Sequence, residues 1–263
     1  MVSVWQPNKE SENIYVCGDI HGLSHQLKRI LKRILPLRTG KIKDKLILLG
    51  DYCDRGCNSP EVLDILIALK KKYGEQVVCI RGNHESMMAD SVHLGAAFPS
   101  KFDFWYVNGG QQTLLSYLSR YPNLREAMNE PHKFNPSRLK DIIPKEHMEF
   151  LENYLVDYYE DEKILACHGG IDPTRPVKDQ NPENIYFDRS LFQYVKNAAN
   201  NGDKLPWDKF VLCGHNTDMS GKPFVYENYA MLDCSATDTL IVFEANSKTG
   251  FKAQKDLNRL VKI

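Results

Sequence analysis

A chain of 263 residues with 42% hydrophobic and 26% charged side chains can bury a sizeable core, a composition that argues against a disordered or fibrous protein. Basic and acidic side chains balance at 34 each, so no overall field draws the chain to nucleic acid or to a membrane surface. Seven cysteines lack the spacing of a disulfide framework and point to a reducing, cytoplasmic compartment; no signal-peptide pattern and no apolar run of about 18–20 residues predicts secretion or a membrane span.

Ile14-Tyr15-Val16-Cys17 is the first predicted strand and ends in Gly18-Asp19-Ile20-His21-Gly22. Leu27, Ile30, Leu31, Ile34 and Leu35 then recur at helical spacing, with Ser24 as the expected N-cap. The apolar run Leu46 to Leu49 is too short for a helix and leads, as a buried strand, into Gly50-Asp51-Tyr52-Cys53-Asp54-Arg55-Gly56. Ser59-Pro60 opens a second amphipathic helix that stops at Gly74, and Gln76 to Ile80 is a third strand ending in Arg81-Gly82-Asn83-His84-Glu85. Strand, helix and strand in this order predict a βαβ unit with parallel pairing.

From about residue 90 to 160 the pattern changes to a helical insertion within a single domain spanning 1–263. Its aromatic segment Phe98 to Tyr106 reads as loop-like, followed by a helix over Gln111–Arg120, a proline- and asparagine-punctuated stretch to Asp141, and a helix after Pro144. Lys163 to Cys167 is a strand that ends in His168-Gly169-Gly170. After Ile185 to Arg189 and a helix to about Ala199, the strand Phe210 to Cys213 ends in Gly214-His215-Asn216. Pro223–Tyr226, Tyr229–Leu232 and Thr239–Glu244 are short strands whose close spacing predicts antiparallel pairing, so the sheet system is mixed. Cys17, Cys79, Cys167 and Cys213 sit at strand ends, where small buried residues fit.

Five predicted strands end in a glycine next to Asp, His or Asn, and open α/β sheets bind ligands where strand ends converge. Asp19, His21, Asp51, Asn83, His168 and His215 together supply oxygen and nitrogen donors, too many for one tetrahedral zinc and suited to two cations bridged by Asp51. The mixture of carboxylate and imidazole points to Mn, Fe or Zn before Ca or Mg. Two such ions about 3.5–4 Å apart can acidify a water between them and clamp an in-line phosphoryl displacement. His25, His93, His132 and His147 have no comparable setting and read as surface or packing residues.

These five motifs, in this order over about residues 14–244, resemble the signature set of the phosphoprotein phosphatase family, which includes the calcineurin-like protein phosphatases, the lambda phage phosphatase and the bacterial symmetrical diadenosine tetraphosphatases. Asn108-Gly109-Gly110-Gln111-Gln112-Thr113-Leu114 is similar to the phage and bacterial branch, whereas His168-Gly169-Gly170 is closer to the eukaryotic spelling. The resemblance implies an α/β fold, a central β-sandwich of mixed sheets flanked by α-helices. It implies two divalent metals, most simply Mn2+ with Fe or Zn as alternatives, the first on Asp19, His21 and Asp51 and the second on Asp51, Asn83, His168 and His215. It further implies that His84 is the general acid oriented by Asp54, and that Arg55 and Arg189 bind the phosphoryl group together with Asn83 and His84. A metal-bridging hydroxide would attack phosphorus in line.

Two departures stand out: Asn216 replaces the threonine usual after the last histidine, and Cys234-Ser235-Ala236-Thr237-Asp238 replaces a glycine-rich segment that borders the pocket in relatives. The expected partner is a phosphorylated protein, cleaved at phosphoserine or phosphothreonine by a monomeric enzyme. The alternative is a small phosphorylated substrate, diadenosine tetraphosphate, with Trp105 or Tyr106 as a platform for adenine. An inactive metal-binding protein is the third reading, against which the full ligand set with Arg55 and His84 argues.

Overall fold

Alternating side chains of three neighbouring strands, β2 (Asn13–Cys17), β3 (Lys45–Leu48) and β4 (Val77–Cys79), serve two different cores. The computed structural model describes residues 4–5, 13–37, 39, 44–120, 134–217, 220–235 and 240–246. Cys17, Leu46, Leu48, Val77 and Cys79 face helices, whereas Ile14, Val16, Ile47 and Val78 pack on Ala166, Phe210, Leu212 and Ala230 of a second sheet. The first sheet has the order β10-β2-β3-β4; β2, β3 and β4 are parallel and β10 (Val242–Asn246) is antiparallel to β2.

The second sheet contains β1 (Val4–Trp5), β5 (Tyr158–Glu160), β6 (Ile164–Cys167), β7 (Phe210–Cys213), β8 (Phe224–Tyr226) and β9 (Tyr229–Met231), in the order β1-β5-β6-β7-β9-β8. The short link between β8 and β9 makes them an antiparallel hairpin, as expected, but β9 runs parallel to β7 because β8 has already reversed the chain once. Helices α1 (Ser24–Ile34) and α2 (Ser59–Tyr73) cover the first sheet, and α9 (Ser190–Asn201), preceded by α8 (Pro182–Phe187), covers the second. The layers are therefore helix, sheet, sheet, helix, a β-sandwich of mixed sheets flanked by helices.

Between β4 and β5 lie α3 (Asn83–Leu94), α4 (Pro99–Trp105), α5 (Gln111–Ser119), α6 (Leu139–Ile142) and α7 (Lys145–Asn153). The segment expected to be loop-like is α4 continued by a π-type turn over Tyr106–Gly110. Phe102 and Trp105, three apart, face inward, while Phe98 and Phe104 are exposed, so the crowding of aromatics hid the helical period. Helix α3 has the polar, buried Asn83, His84 and Glu85 in its first turn, which masks its apolar face. Ser24 is not the N-cap but the first helical residue behind Leu23; its side chain bonds Glu61 on α2. The punctuated stretch at 121–133, with His132, lies outside the described residues, and no described helix is long and apolar enough to cross a membrane. All four strand-end cysteines are buried.

His147 on α7 joins three helices: its Nδ1 lies 2.7 Å from the Tyr117 hydroxyl on α5 and its Nε2 2.8 Å from Asp64 on α2. Burial, opposed by Asp64, depresses its pKa below the ordinary 6.5. The unfolded chain therefore takes up this proton more readily, and the stabilisation is complete above about pH 6.5 and lost as pH falls below it. Melting curves should show Tm dropping more steeply between pH 7 and 5 in the wild type than in His147→Gln; equal slopes would remove His147 as a source of acid sensitivity.

Candidate active site

Tight turns at the ends of β2, β3 and β7 carry the chemistry, and their backbone is strained. Among the described residues, six that are not glycine have positive φ, and five of them are His21 (41°), Asp51 (50°), Asp54 (70°), Arg55 (63°) and His215 (62°). Such torsions cost free energy in bulky residues and persist where the surroundings enforce them, which marks this cluster as functional. Two glycines allow the acidic groups to approach: a Cβ on Gly82 would lie 2.2 Å from Asp51 Oδ1, and one on Gly214 would lie 2.1 Å from Asp19 Oδ1.

The histidines are aimed by main-chain carbonyls. His21 Nδ1 lies 2.8 Å from the Cys53 oxygen and His168 Nδ1 2.8 Å from the Leu49 oxygen; a carbonyl only accepts, so each Nδ1–H donates and Nε2 faces inward. His21 Nε2 is 3.4 Å from Asp51 Oδ2, and His168 Nε2 is 3.2 Å from Asp51 Oδ1 and 3.0 Å from Asn83 Oδ1. Burial lowers both His21 and His215 to about 3, so their imidazoles are neutral and offer lone pairs. Burial acts in the same direction on His168, but Asp51 and then Asp19 outweigh it and push that imidazole up to about 10. Burial would raise Asp51 too, yet His168 and His84 hold it well below the usual carboxylate range. Asp19 goes the other way, raised well above that range by burial and by Asp233 and Asp51.

Asp19 Oδ1, His21 Nε2 and His215 Nε2 are buried with no hydrogen-bond partner. In addition, Asn83 Oδ1 and Asp51 Oδ1 converge on His168 Nε2–H, whose proton a cation would displace to gain all three donor atoms. Orphaned buried acceptors are costly unless a cation satisfies them, so the residues fit divalent metals. Their donor atoms form two groups within metal-ligating reach, His21-Asp51-His84 and Asp51-His168-His215, with Asp51 in both.

His84 falls within reach in the first group where the sequence expected Asp19, but its nitrogens are engaged otherwise: Nδ1 lies 2.7 Å from Asp54 Oδ2, and Nε2 is 3.2 Å from a guanidinium nitrogen of Arg55 and 3.8 Å from Asp51 Oδ2. Burial disfavours the His84 cation, but Asp51 and Asp54 prevail and hold its pKa above the ordinary value. Arg55 is exposed at the rim, and its backbone N–H donates to the Gly109 carbonyl (3.1 Å). Arg189, also exposed, precedes α9, and its charge reaches His215. Asn216 is buried and donates from Nδ2 towards the Gly169 (3.3 Å) and Asp188 (3.5 Å) carbonyls, linking the loops that carry His168 and Arg189. Of the variant segment, Cys234 is buried and Ser235 hydrogen-bonds Asp233, while residues 236–238 lie outside the described residues.

The structure adds residues to which the sequence assigned no role here. Glu85 is fully buried and accepts from the backbone N–H groups of Asp51 (2.9 Å), Tyr52 (2.8 Å), Cys53 (3.3 Å) and Gly82 (3.0 Å). Its bond to the Gly82 N–H is the returning half of a capping box, but glycine lacks the side chain that would have announced the box in the sequence. Trp105 Nε1–H lies 3.0 Å from each Asp54 carboxylate oxygen, and the Ser59 (3.1 Å) and Thr113 (2.8 Å) hydroxyls accept from the Asp54 N–H. The Tyr52 hydroxyl lies 2.6 Å from the Ile80 carbonyl and ties the ends of β3 and β4.

The chain is 40% identical over 167 residues to the serine/threonine-protein phosphatase SIT4 of Candida albicans, an alignment that takes in 64% of this chain and 42% of that protein, so the match spans less than half of the relative. A solved structure described as a candidate diadenosine tetraphosphatase superposes with a TM-score of 0.61 at 19% identity, covering 100% of this chain and 98% of its own. A serine/threonine phosphatase from Saccharomyces cerevisiae, described as similar to human phosphatase PP5, gives 0.52 at 17% identity, covering 92% of this chain and 76% of its own. At those identities the two likenesses concern the fold. Residues 12–239 match the family model of calcineurin-like phosphoesterases, and the chain belongs to that family.

Proposed function

We propose that this chain is a metal-dependent phosphatase that hydrolyses phosphomonoesters, with phosphoserine and phosphothreonine in proteins as its substrates. The observation that carries this reading is Asp51, shared by two ligand groups and set beside the hydrogen-bonded pair His84 and Asp54. Asp19, His21 and Asp51 would hold one divalent cation, and Asp51, Asn83, His168 and His215 the other. Manganese suits the oxygen-and-imidazole set, with iron or zinc as alternatives. When bound, such a pair supplies Lewis acidity towards the phosphoryl oxygens and acidifies water.

The chain's own side chains do the rest. Arg55, beside His84, and Arg189, whose charge reaches His215, would present planar donor forks to the phosphoryl oxygens. His84 holds a proton at Nε2 and delivers it to the departing alkoxide, while Asp54 accepts from Nδ1–H and fixes the ring. Arg55 lies 3.2 Å from that same Nε2, which sets the guanidinium and the proton donor beside one phosphoryl group. The reading extends to a monomeric, cytoplasmic protein that does not engage nucleic acid.

Purified protein stripped with a chelator should hydrolyse p-nitrophenyl phosphate and a phosphoserine peptide once Mn2+, Fe2+ or Zn2+ is restored, and not before. No turnover above background with any of these ions would reject the phosphatase reading and favour an inactive metal-binding protein.

One observation favours dinucleoside polyphosphates as a second substrate class. A cavity of about 410 Å³ beside α3 is lined by Arg81, Lys101 and the exposed aromatics Phe104 and Phe187, which could receive a base. Trp105 cannot be the adenine platform expected from sequence, because it is fully buried and its N–H is committed to Asp54. The ratio of kcat/KM for a phosphopeptide and diadenosine tetraphosphate decides between the two classes.

A further inference from the structure

We infer that Trp105 is a positioning residue for the proton donor, so that the acid of the reaction is held by a chain of three side chains, Trp105, Asp54 and His84. The inference rests on the phosphatase reading and concerns how that site's acid is kept in place. Asp54 is fully buried, so its carboxylate needs donors on both oxygens. His84 supplies one at 2.7 Å on Oδ2, and the Trp105 indole N–H straddles the pair at 3.0 Å from each oxygen. Among the described residues these two side chains are the donors to the carboxylate. A donor between both oxygens fixes the rotation of the carboxylate and leaves Oδ2 turned to His84 Nδ1.

The indole itself has little room to move. It is fully buried, and Gly110 packs so closely that a Cβ there would lie 2.5 Å from the ring. The turn and the start of α5 reach the motif at two more points, Gly109 through the Arg55 N–H and Thr113 through the Asp54 N–H. The helical stretch between β4 and β5 thus grips Asp54 by main chain and side chain together. Tryptophan suits the place chemically, because its N–H donates only, does not titrate and brings apolar surface that keeps water off the carboxylate. Being buried behind Asp54, it acts on the reaction through that residue.

The test is Trp105→Phe, which keeps a ring in the space and removes the donor. Since hydrogen bonds to charged groups are the strong ones, kcat on a phosphoserine peptide should fall about 10-fold or more with KM within about 2-fold of wild type. On p-nitrophenyl phosphate, whose phenolate departs without a proton, the loss should stay below about 2-fold. In an Asp54→Asn background Trp105→Phe should add nothing on either substrate. Equal losses on the two substrates, or full additivity with Asp54→Asn, would mean that Trp105 only fills the core and would overturn the inference. A second arm needs neither activity nor a folded Trp105 variant: there are three tryptophans, and the indole N–H resonance of Trp105, assigned by elimination with Trp5→Phe and Trp207→Phe, should shift in Asp54→Asn. An unmoved resonance would also overturn it. Wild-type protein inert on both substrates would sink the phosphatase reading instead, with the resonance still reporting the contact.

Discussion

Replacing His84 by asparagine is expected to lower kcat on a phosphoserine peptide by about 10²–10⁴-fold, because an alkoxide is a poor leaving group without a proton donor. The main-chain N–H of residue 84, which donates to Asp51 Oδ1 at 3.1 Å, survives the substitution, so the strained turn at Asp51 should keep its shape. Metal content should therefore stay near wild type while the rate collapses, and Tm should fall because buried Asp54 loses the Nδ1–H donor. His84 is suited to the role because Asp51 and Asp54 outweigh its burial and keep it protonated beyond the ordinary range. Measured at saturating substrate, the loss should shrink sharply with p-nitrophenyl phosphate. An unchanged kcat on the peptide, with metal bound, would take the acid's role away from His84.

Parts of this site could be read from the sequence because they are local. Each of the five motifs follows an apolar strand, and the glycine beside each acidic or histidine residue announces a turn with a close backbone approach. The sandwich was legible only through the family resemblance: Val16, Cys17, Ile47 and Leu48 are all apolar, and it is the structure that sorts them onto the two faces of one sheet. Trp105 and Thr113 were not legible, since they lie 51 and 59 residues from Asp54 and meet it only because α4 and α5 fold back over the motif. In the sequence Trp105 is one of a crowd of aromatics, and nothing local distinguishes the one whose N–H points inward from the exposed Phe104 beside it. Parallel pairing of β9 with β7 was likewise hidden, because it depends on where β8 lies and not on the length of any one link.

Glu85→Ala should damage stability and metal binding together. One carboxylate there holds four backbone N–H groups, three of them in the Asp51–Cys53 turn, and also receives the Cys53 thiol at 3.4 Å. Alanine would leave those donors buried and unpaired, a loss on the order of 3–5 kcal/mol by the usual cost of orphaned groups. Urea or thermal unfolding should register it directly. The turn it releases carries Asp51 at φ 50°, a torsion with no local preference to sustain it, so the bridging carboxylate should lose its aim at the same time. Glu85→Gln separates the two effects: it keeps the size and one acceptor oxygen, so it should unfold nearer to wild type yet bind divalent metal about 10–100-fold more weakly, as expected when a group that orients a ligand is altered. Titration calorimetry with Mn2+ measures that change without reference to turnover. If Glu85→Ala instead retained wild-type Tm and metal affinity, the positive φ at Asp51 would have to be enforced by Tyr52 and the strand ends alone, and Glu85 would be only a helix cap.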